Sequence, residues 1–405
     1  QGSTIEMRIA YITAQAPWGK GETFLIDEML ALQYSGVDLL IIPRNPPKEV
    51  FHQEAQQLLA SAVWLPLINL RMVGVFFKAL LVKTSLWKIL GHIARYARNP
   101  WVLIKNLAIL PKGVFIAKML RKEDTCHIHA HWGSTTSTMA YIISQLTGIA
   151  WSFTLHRWDI RENNMLEEKI RSAEFVRCIS EHGKKELLKI IGEEYKEKIR
   201  VVHLGVKVPE NTAEFPKVKK LFTIVTPANL LEVKGHKYLI EACSSLIEEG
   251  IKNFQCILYG GGPLRAELEN LIKGKKLDDY IKIPGAIPHE KLIKMYQNHG
   301  VDLVVLPSIN TDKGEHEGIP VALMEAMAHG IPVISTNTGG IPELISNGAG
   351  IIVEEKSPKQ LAKAIISVAK NEDLKSGFFR KGYLKIRSEF NIEKNVKSLL
   401  GLIQE

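Results

Sequence analysis

The feature that most constrains this chain is a series of short, mainly apolar runs, most followed by a stretch with helical periodicity. Residues 7–14 read MRIAYITA, and comparable runs occupy 37–43, 125–130, 150–155, 175–179 and 199–204. A second series covers 221–226 (LFTIVT), 254–259, 281–283, 301–306, 332–335 and 350–353. A strand buried on one face alternates apolar and polar residues. A strand buried on both faces reads as a continuous apolar run, which marks a parallel sheet covered by helices on each side. The fold class is therefore α/β, in two doubly wound, Rossmann-like halves. A chain of 405 residues supplies a full core to each. The expected division is an N-terminal domain over 1–208, a linker over 209–219 rich in Pro, Val and charge, and a C-terminal domain over 220–386. Residues 387–405 are expected to form a final helix that crosses back to the N-terminal domain.

Charge is distributed unevenly. The net charge is +9, yet residues 55–122 contain no Asp or Glu and carry all of the excess: outside this segment acidic residues slightly outnumber basic ones. The segment is expected to be a helical insertion in the first domain. Its cations, among them Lys78, Lys83, Lys88, Arg95, Arg98 and Lys105, are interleaved with Trp64, Trp87, Trp101 and Phe77. Basic amphipathic helices with aromatics are a means of lying on an anionic membrane surface. The competing expectation is that they cover the first sheet with their lysines solvated. No nucleic-acid recognition motif accompanies the charge, so nucleic acid is not expected as a partner. The four cysteines show no paired spacing, which points to neither a disulfide framework nor a zinc ribbon and fits a reducing, cytoplasmic setting. Gln1-Gly2-Ser3 reads as the remnant of a cleaved tag. No signal peptide and no membrane-spanning run are expected.

In open α/β sheets ligands bind at the carboxyl ends of the strands, so chemistry is sought in the turns that follow the apolar runs. Residues 315–327 read EHEGIPVALMEAM, with Glu317 and Glu325 separated by seven residues. Pro320 suits the first turn of a helix. The backbone N–H groups around Gly318, Ile319, Pro320 and Val321 would then head a helix N-terminus, a seat for phosphate or sugar oxygens. Glu317 precedes this helix, Glu325 lies inside it, and the two can grip different parts of one elongated ligand. After LFTIVT comes Asn229-Leu230-Leu231-Glu232-Val233-Lys234-Gly235, whose Lys234 can stabilise an expelled diphosphate. His156 ends the run 150–155. Gly19 and Gly21 follow the first strand, and Gly260-Gly261-Gly262 follow the strand 254–259, allowing close backbone approach to a ligand. His127, His129 and His131 alternate on one strand face. That pattern raises the possibility of a metal, but none is expected, because no carboxylate is expected to neighbour them in the fold.

EGIPVALMEAMA resembles the signature of the family 4 glycosyltransferases of GT-B fold, and GIPVISTNTGGIPELI resembles its continuation. Further resemblances are the Lys234-Gly235 pair, the segment SFTLHRWD, the HAHW at 129–132 and the PWGKGETF entry of polysaccharide-building members. The resemblance extends over nearly the whole chain. It implies a GT-B architecture of two Rossmann-like domains facing across a cleft, with retention at the anomeric carbon. It further implies that Glu317 contacts donor-sugar hydroxyls, Glu325 holds the ribose, His156 lies near the donor sugar, and Lys234 serves the diphosphate. Neither a metal nor any other cofactor is required by this resemblance. Asn229 stands where the family usually has an Arg, and an amide donates hydrogen bonds but carries no charge.

The expected activity is transfer of a sugar from a nucleotide-diphosphate donor to an acceptor hydroxyl. The acceptor is expected to be a lipid-linked or growing surface glycan, met at the inner membrane face. Two other readings suit the same architecture: a nucleotide-sugar epimerase, and a catalytically impaired sugar-nucleotide-binding protein, which Asn229 motivates.

Overall fold

Each series of apolar runs forms one parallel sheet in the computed structural model, which describes residues 7–19, 22–50, 53–210 and 221–405. The first sheet comprises β1 (Arg8–Thr13), β2 (Asp38–Pro43), β3 (Thr125–His131), β4 (Ala150–Leu155), β5 (Phe175–Cys178) and β6 (Ile199–Val201). Its order is β2-β1-β3-β4-β5-β6, so the strand order reverses between β1 and β3. The second comprises β7 (Phe222–Pro227), β8 (Phe254–Tyr259), β9 (Ile281–Gly285), β10 (Leu303–Leu306), β11 (Val333–Thr336) and β12 (Ile351–Val353). Its order is β12-β11-β10-β7-β8-β9, with the reversal between β10 and β7. All pairings are parallel, as sheets covered on both faces require.

The chain divides into two units, Gln1–Leu204 with Ile392–Glu405, and Gly205–Asn391. The boundary lies before residue 208 because residues 206 and 209 are already tied to the second unit. The Val206 N–H donates to the Phe390 carbonyl at 2.8 Å, and the Tyr383 hydroxyl donates to the Pro209 carbonyl at 2.9 Å. Residues 211–219 of the expected linker lie outside the described residues. At the other end Arg387 falls inside the helix Glu372–Glu389, and the last helix runs from Ile392 to Gln404. Its Ile392, Val396 and Leu400 pack with Leu25, Met29 and Leu30 of the helix Thr23–Tyr34, against one face of the first sheet.

The acid-free insertion touches both faces of that sheet: its helices cover the other face, while Ala55 and Leu58 at its start pack with Leu25 and Met29. It folds as a short 3-10 segment, Glu54–Ser61, and three helices, Leu70–Val82, Thr84–Tyr96 and Pro100–Leu120. Asn69 and Asn99 cap the first and last of these, accepting hydrogen bonds from Met72 N and Val102 N. Leu86, Ile89, Ile93, Ile109 and Ile116 are buried against Tyr141, Ile142 and the strands. Lys112 is buried too: its ammonium donates to the carbonyls of Pro43, Arg44 and Leu65, and burial pushes its pKa down to about 7.

Candidate functional site

In the second unit, the turn after β7 and the turn after β10 meet where the strand order reverses, the crevice position of doubly wound sheets. The Ile309 N–H donates to the Val233 carbonyl at 2.9 Å, holding the two turns together. Lys234 ends a single 3-10 turn, Glu232–Lys234, ahead of the helix His236–Glu248. Its ammonium donates to Glu317 Oε2 at 2.5 Å, and Ser308 Oγ lies 3.4 Å from the same oxygen. Gly339 fixes the backbone at Glu317. Its φ is +52°, and a Cβ there would collide with the Glu317 carbonyl.

Glu317 leads to the helix Val321–Ala328. Pro320 is the residue before this helix, with φ −73° and ψ 120°, and not a member of its first turn as expected. The extended ψ lets its carbonyl accept from Leu323 N and Met324 N, so the N–H groups of Val321 and Ala322 head the helix. Nothing lies within 4 Å of where a Cβ of Gly318 would project, leaving the approach to this N-terminus open on that side. Glu325 sits in the second turn of the helix. Its Oε1 lies 2.8 Å from Nε2 of His289, the first residue of the helix His289–Gln297. The turn of Gly260, Gly261 and Gly262 follows β8, and Gly260 packs so tightly that a Cβ would meet the Ala228 carbonyl. Asn229 is exposed beside it.

The first unit carries its own polar constellation at the carboxyl ends of β1, β3 and β4. Gly19 is buried in the turn after β1, with φ +83°; Gly21 lies outside the described residues. The turn is held by Glu22, whose carboxylate accepts from the N–H groups of Ala14, Gln15 and Ala16 at 3.1, 2.6 and 2.8 Å. Trp132 Nε1 donates to Glu22 as well. His156 follows β4, and its N–H donates to Asp159 Oδ2 at 2.9 Å. Burial pushes the Asp159 carboxyl up to about 7.

The three alternating histidines face hydroxyls. His127 Nε2 and His129 Nδ1 lie 2.7 and 2.8 Å from Ser152 Oγ, and His129 Nε2 lies 2.9 Å from Thr154 Oγ1. His131 lies 2.7 Å from His156 through their Nε2 atoms and 3.1 Å from Tyr11 through Nδ1. The expectation that no carboxylate neighbours these histidines is corrected here: Glu28 Oε1 lies 3.9 Å from His131 Nδ1. The helix Thr23–Tyr34 brings it there, from a sequence separation of about a hundred residues.

Sequence comparison extends over both units. The family described as glycosyl transferases group 1 matches residues 207–384, which hold the Lys234–Glu317 pair. AmsK, an amylovoran biosynthesis glycosyltransferase of Erwinia amylovora, is 31% identical over 327 residues, covering 77% of this chain and 76% of that protein. The chain belongs to the glycosyl transferases group 1 family. WcaL of Salmonella typhimurium, named for colanic acid biosynthesis, is 36% identical over 211 residues, 51% of each chain. The chain thus spans about half the length of that relative. Among solved structures, Anabaena HepE in complex with UDP superposes with a TM-score of 0.70 at 16% identity, covering 98% of this chain and 100% of that one. The fold is GT-B, with two Rossmann-like parallel-sheet units.

Within this family member, the structure brings together Lys234, Glu317, Gly318, Ile319, Pro320 and Val321, with Glu325 along the same helix. Gly19 and His156 belong to the other unit. Ser308, His289 and Tyr11 went unmarked in the sequence, because their partners are set by the course of loops and helices and no local motif carries them; Glu22 and Glu28 fall in the segment that begins PWGKGETF, which marks the turn but not their partners. Of the insertion's cations, Lys78, Lys88, Arg95 and Arg98 are exposed, and Lys83 is half-buried. Lys105 is half-buried as well, donating to Glu162 at 2.9 Å beside the Trp101 ring.

Proposed function

We propose that this protein transfers a sugar from a nucleotide-diphosphate sugar to an acceptor hydroxyl, retaining the anomeric configuration. The observation that carries the reading is the Lys234–Glu317 pair at the strand-order reversal, beside the N-terminus of the helix Val321–Ala328. In this account Glu317 grips hydroxyls of the donor sugar, and the leading N–H groups of the helix take diphosphate oxygens. Glu325, beside His289, holds the ribose. Lys234 neutralises the charge that grows on the leaving phosphate, the largest electrostatic requirement of the step. The departing phosphate takes the acceptor proton on the face it leaves, and no metal is needed. Asn229 donates a neutral hydrogen bond where relatives of the same motif carry a cation, so the diphosphate is gripped chiefly by Lys234 and the helix.

The acceptor is a lipid-linked or growing surface polysaccharide, in line with the roles named for AmsK and WcaL. It is met at an anionic membrane face, through the acid-free insertion. Leu70, Phe77, Leu81, Val82, Trp87 and Trp101 are exposed there among Lys78, Lys88, Arg95 and Arg98. Among the described residues no helix is long and apolar enough to cross a membrane.

HepE has been solved with UDP and with UDP-glucose, so uridine donors are the first to test. A ligand that binds only the folded state raises apparent stability. Thermal shifts with UDP, GDP and their sugars should therefore show stabilisation by one nucleotide, weakened in Glu325→Ala. Stabilisation by none of them would overturn the reading. Binding with no nucleotide release from any donor would mark a sugar-nucleotide-binding protein.

A further inference from the structure

The first unit holds a buried chain of side chains that ends on His156. Arg177 is fully buried and donates three ways: Nε to the Val202 carbonyl, Nη2 to the His203 carbonyl, and Nη1 to Glu28 Oε2 at 2.8 Å. The other oxygen of Glu28 accepts the Tyr11 hydroxyl at 2.6 Å. Tyr11 O lies 3.1 Å from His131 Nδ1, and His131 Nε2 lies 2.7 Å from His156 Nε2. Tyr11, Glu28 and His131 are each at most 1% exposed, so water does not substitute for any link.

The inventory of donors and acceptors fixes the direction of every link. Tyr11 has one proton, and it goes to Glu28. Its oxygen can therefore only accept from His131, which must carry its proton on Nδ1. Neutral His131 is left with a lone pair on Nε2, so His156 must donate from its own Nε2. Burial, helped for His156 by the Arg177 charge, lowers both histidines, His156 to about 3, so both rings are neutral near pH 7. The His156 ring is also boxed in, with the Trp132 ring centroid at 4.3 Å and that of Phe24 at 5.7 Å.

We propose that Tyr11 and His131 are positioning residues, which hold the His156 imidazole in its Nε2–H tautomer through the chain Glu28–Tyr11–His131. The neutral ring then offers an acceptor at Nδ1, locked in orientation at the end of β4. The kinetic consequence rests on the proposed sugar transfer; the tautomer does not. Nothing local in the sequence signals it, because the chain joins β1, the helix Thr23–Tyr34, β3, β4 and β5.

The test is nitrogen NMR of the full-length protein labelled at histidine, with His156 assigned from the difference spectrum of His156→Gln. The proposal expects His131 protonated on Nδ1 and His156 on Nε2. His156 found protonated on Nδ1, or on both nitrogens at neutral pH, overturns it whatever the activity. Two variants extend the test. His131→Gln keeps an acceptor for His156 and a donor for Tyr11, whereas His131→Leu removes both. The expected result is at least a tenfold fall in kcat for donor hydrolysis in His131→Leu, with KM within about twofold, and recovery to within threefold of the unaltered protein in His131→Gln. A His131→Leu protein that keeps both the His156 tautomer and kcat overturns the positioning role. If His131→Leu does not fold, the His131→Gln and unaltered spectra still decide the tautomer. Inactivity of the unaltered protein on every donor counts against the proposed function and leaves the tautomer result standing.

Discussion

Lys234 and Glu317 are about four-fifths buried, so removing either one leaves its partner charged with limited access to water. Lys234→Ala is expected to lower sugar transfer by a factor of at least about a hundred, the scale for loss of one electrostatic stabiliser of a developing anion. Steady-state release of the nucleoside diphosphate checks this, and a loss below about threefold would remove Lys234 from the chemistry. The buried histidines make a second prediction at this scale. Burial lowers His127 to about 4 in the folded chain, whereas the unfolded chain protonates it near 6.5. Between these values the unfolded state binds more protons, so the contribution of this histidine to stability is constant above about pH 7 and falls as pH drops from about 6.5 to 4. His127 alone contributes on the order of 3 kcal/mol to that fall, with His129 and His131 shifted in the same direction. Urea unfolding across this range checks it, and His127→Gln should flatten the slope. Residues with a local signature, Glu317, Glu325 and Lys234, were legible in the sequence. Ser308 and His289 were not, because each meets its glutamate through the path of a separate loop or helix.

At the scale of the elements, the strands were legible because burial on both faces keeps the runs mainly apolar, the alternating histidines of β3 being the exception. Their ends were less so: the run 199–204 (IRVVHL) keeps apolar residues as far as Leu204, but only Ile199–Val201 pairs in the sheet. Val202 and Leu204 are buried beyond the ladder, and hydropathy does not distinguish the two situations. Pro320 shows the same limit at a helix start, since its fixed φ serves both the residue before a helix and the first residue within it. The turn carrying Glu317 depends on Gly339, which adopts φ +52° directly against the Glu317 carbonyl. Gly339→Ala is expected to destabilise the fold by about 1 kcal/mol or more and to displace Glu317. Transfer should then fall by more than the stability change explains. Unfolding and donor turnover measured on the same preparation check this, and a variant with normal turnover would show that the turn tolerates the displacement.

For the whole molecule, the division into two Rossmann-like parallel sheets was written in the repeated runs, whereas the packing of the last helix was not. Its apolar positions, Ile392, Val396 and Leu400, find their partners in the helix Thr23–Tyr34. The role of the insertion was open between two readings, and its helices partition their residues. One set, including Ile89, Ile93 and Ile109, covers the sheet, and another stays exposed among cations. Sedimentation with vesicles of phosphatidylserine and phosphatidylcholine should be strong and weaken as salt rises. Indifference to lipid charge would contradict a membrane role. The central claim is that the Lys234–Glu317 site cleaves a nucleotide-sugar. Its most direct test is release of nucleoside diphosphate from a panel of nucleotide-sugars by the purified protein and by Glu317→Gln. The account predicts release from one donor class, reduced at least about a hundredfold in the variant. Equal release by the two proteins would contradict it.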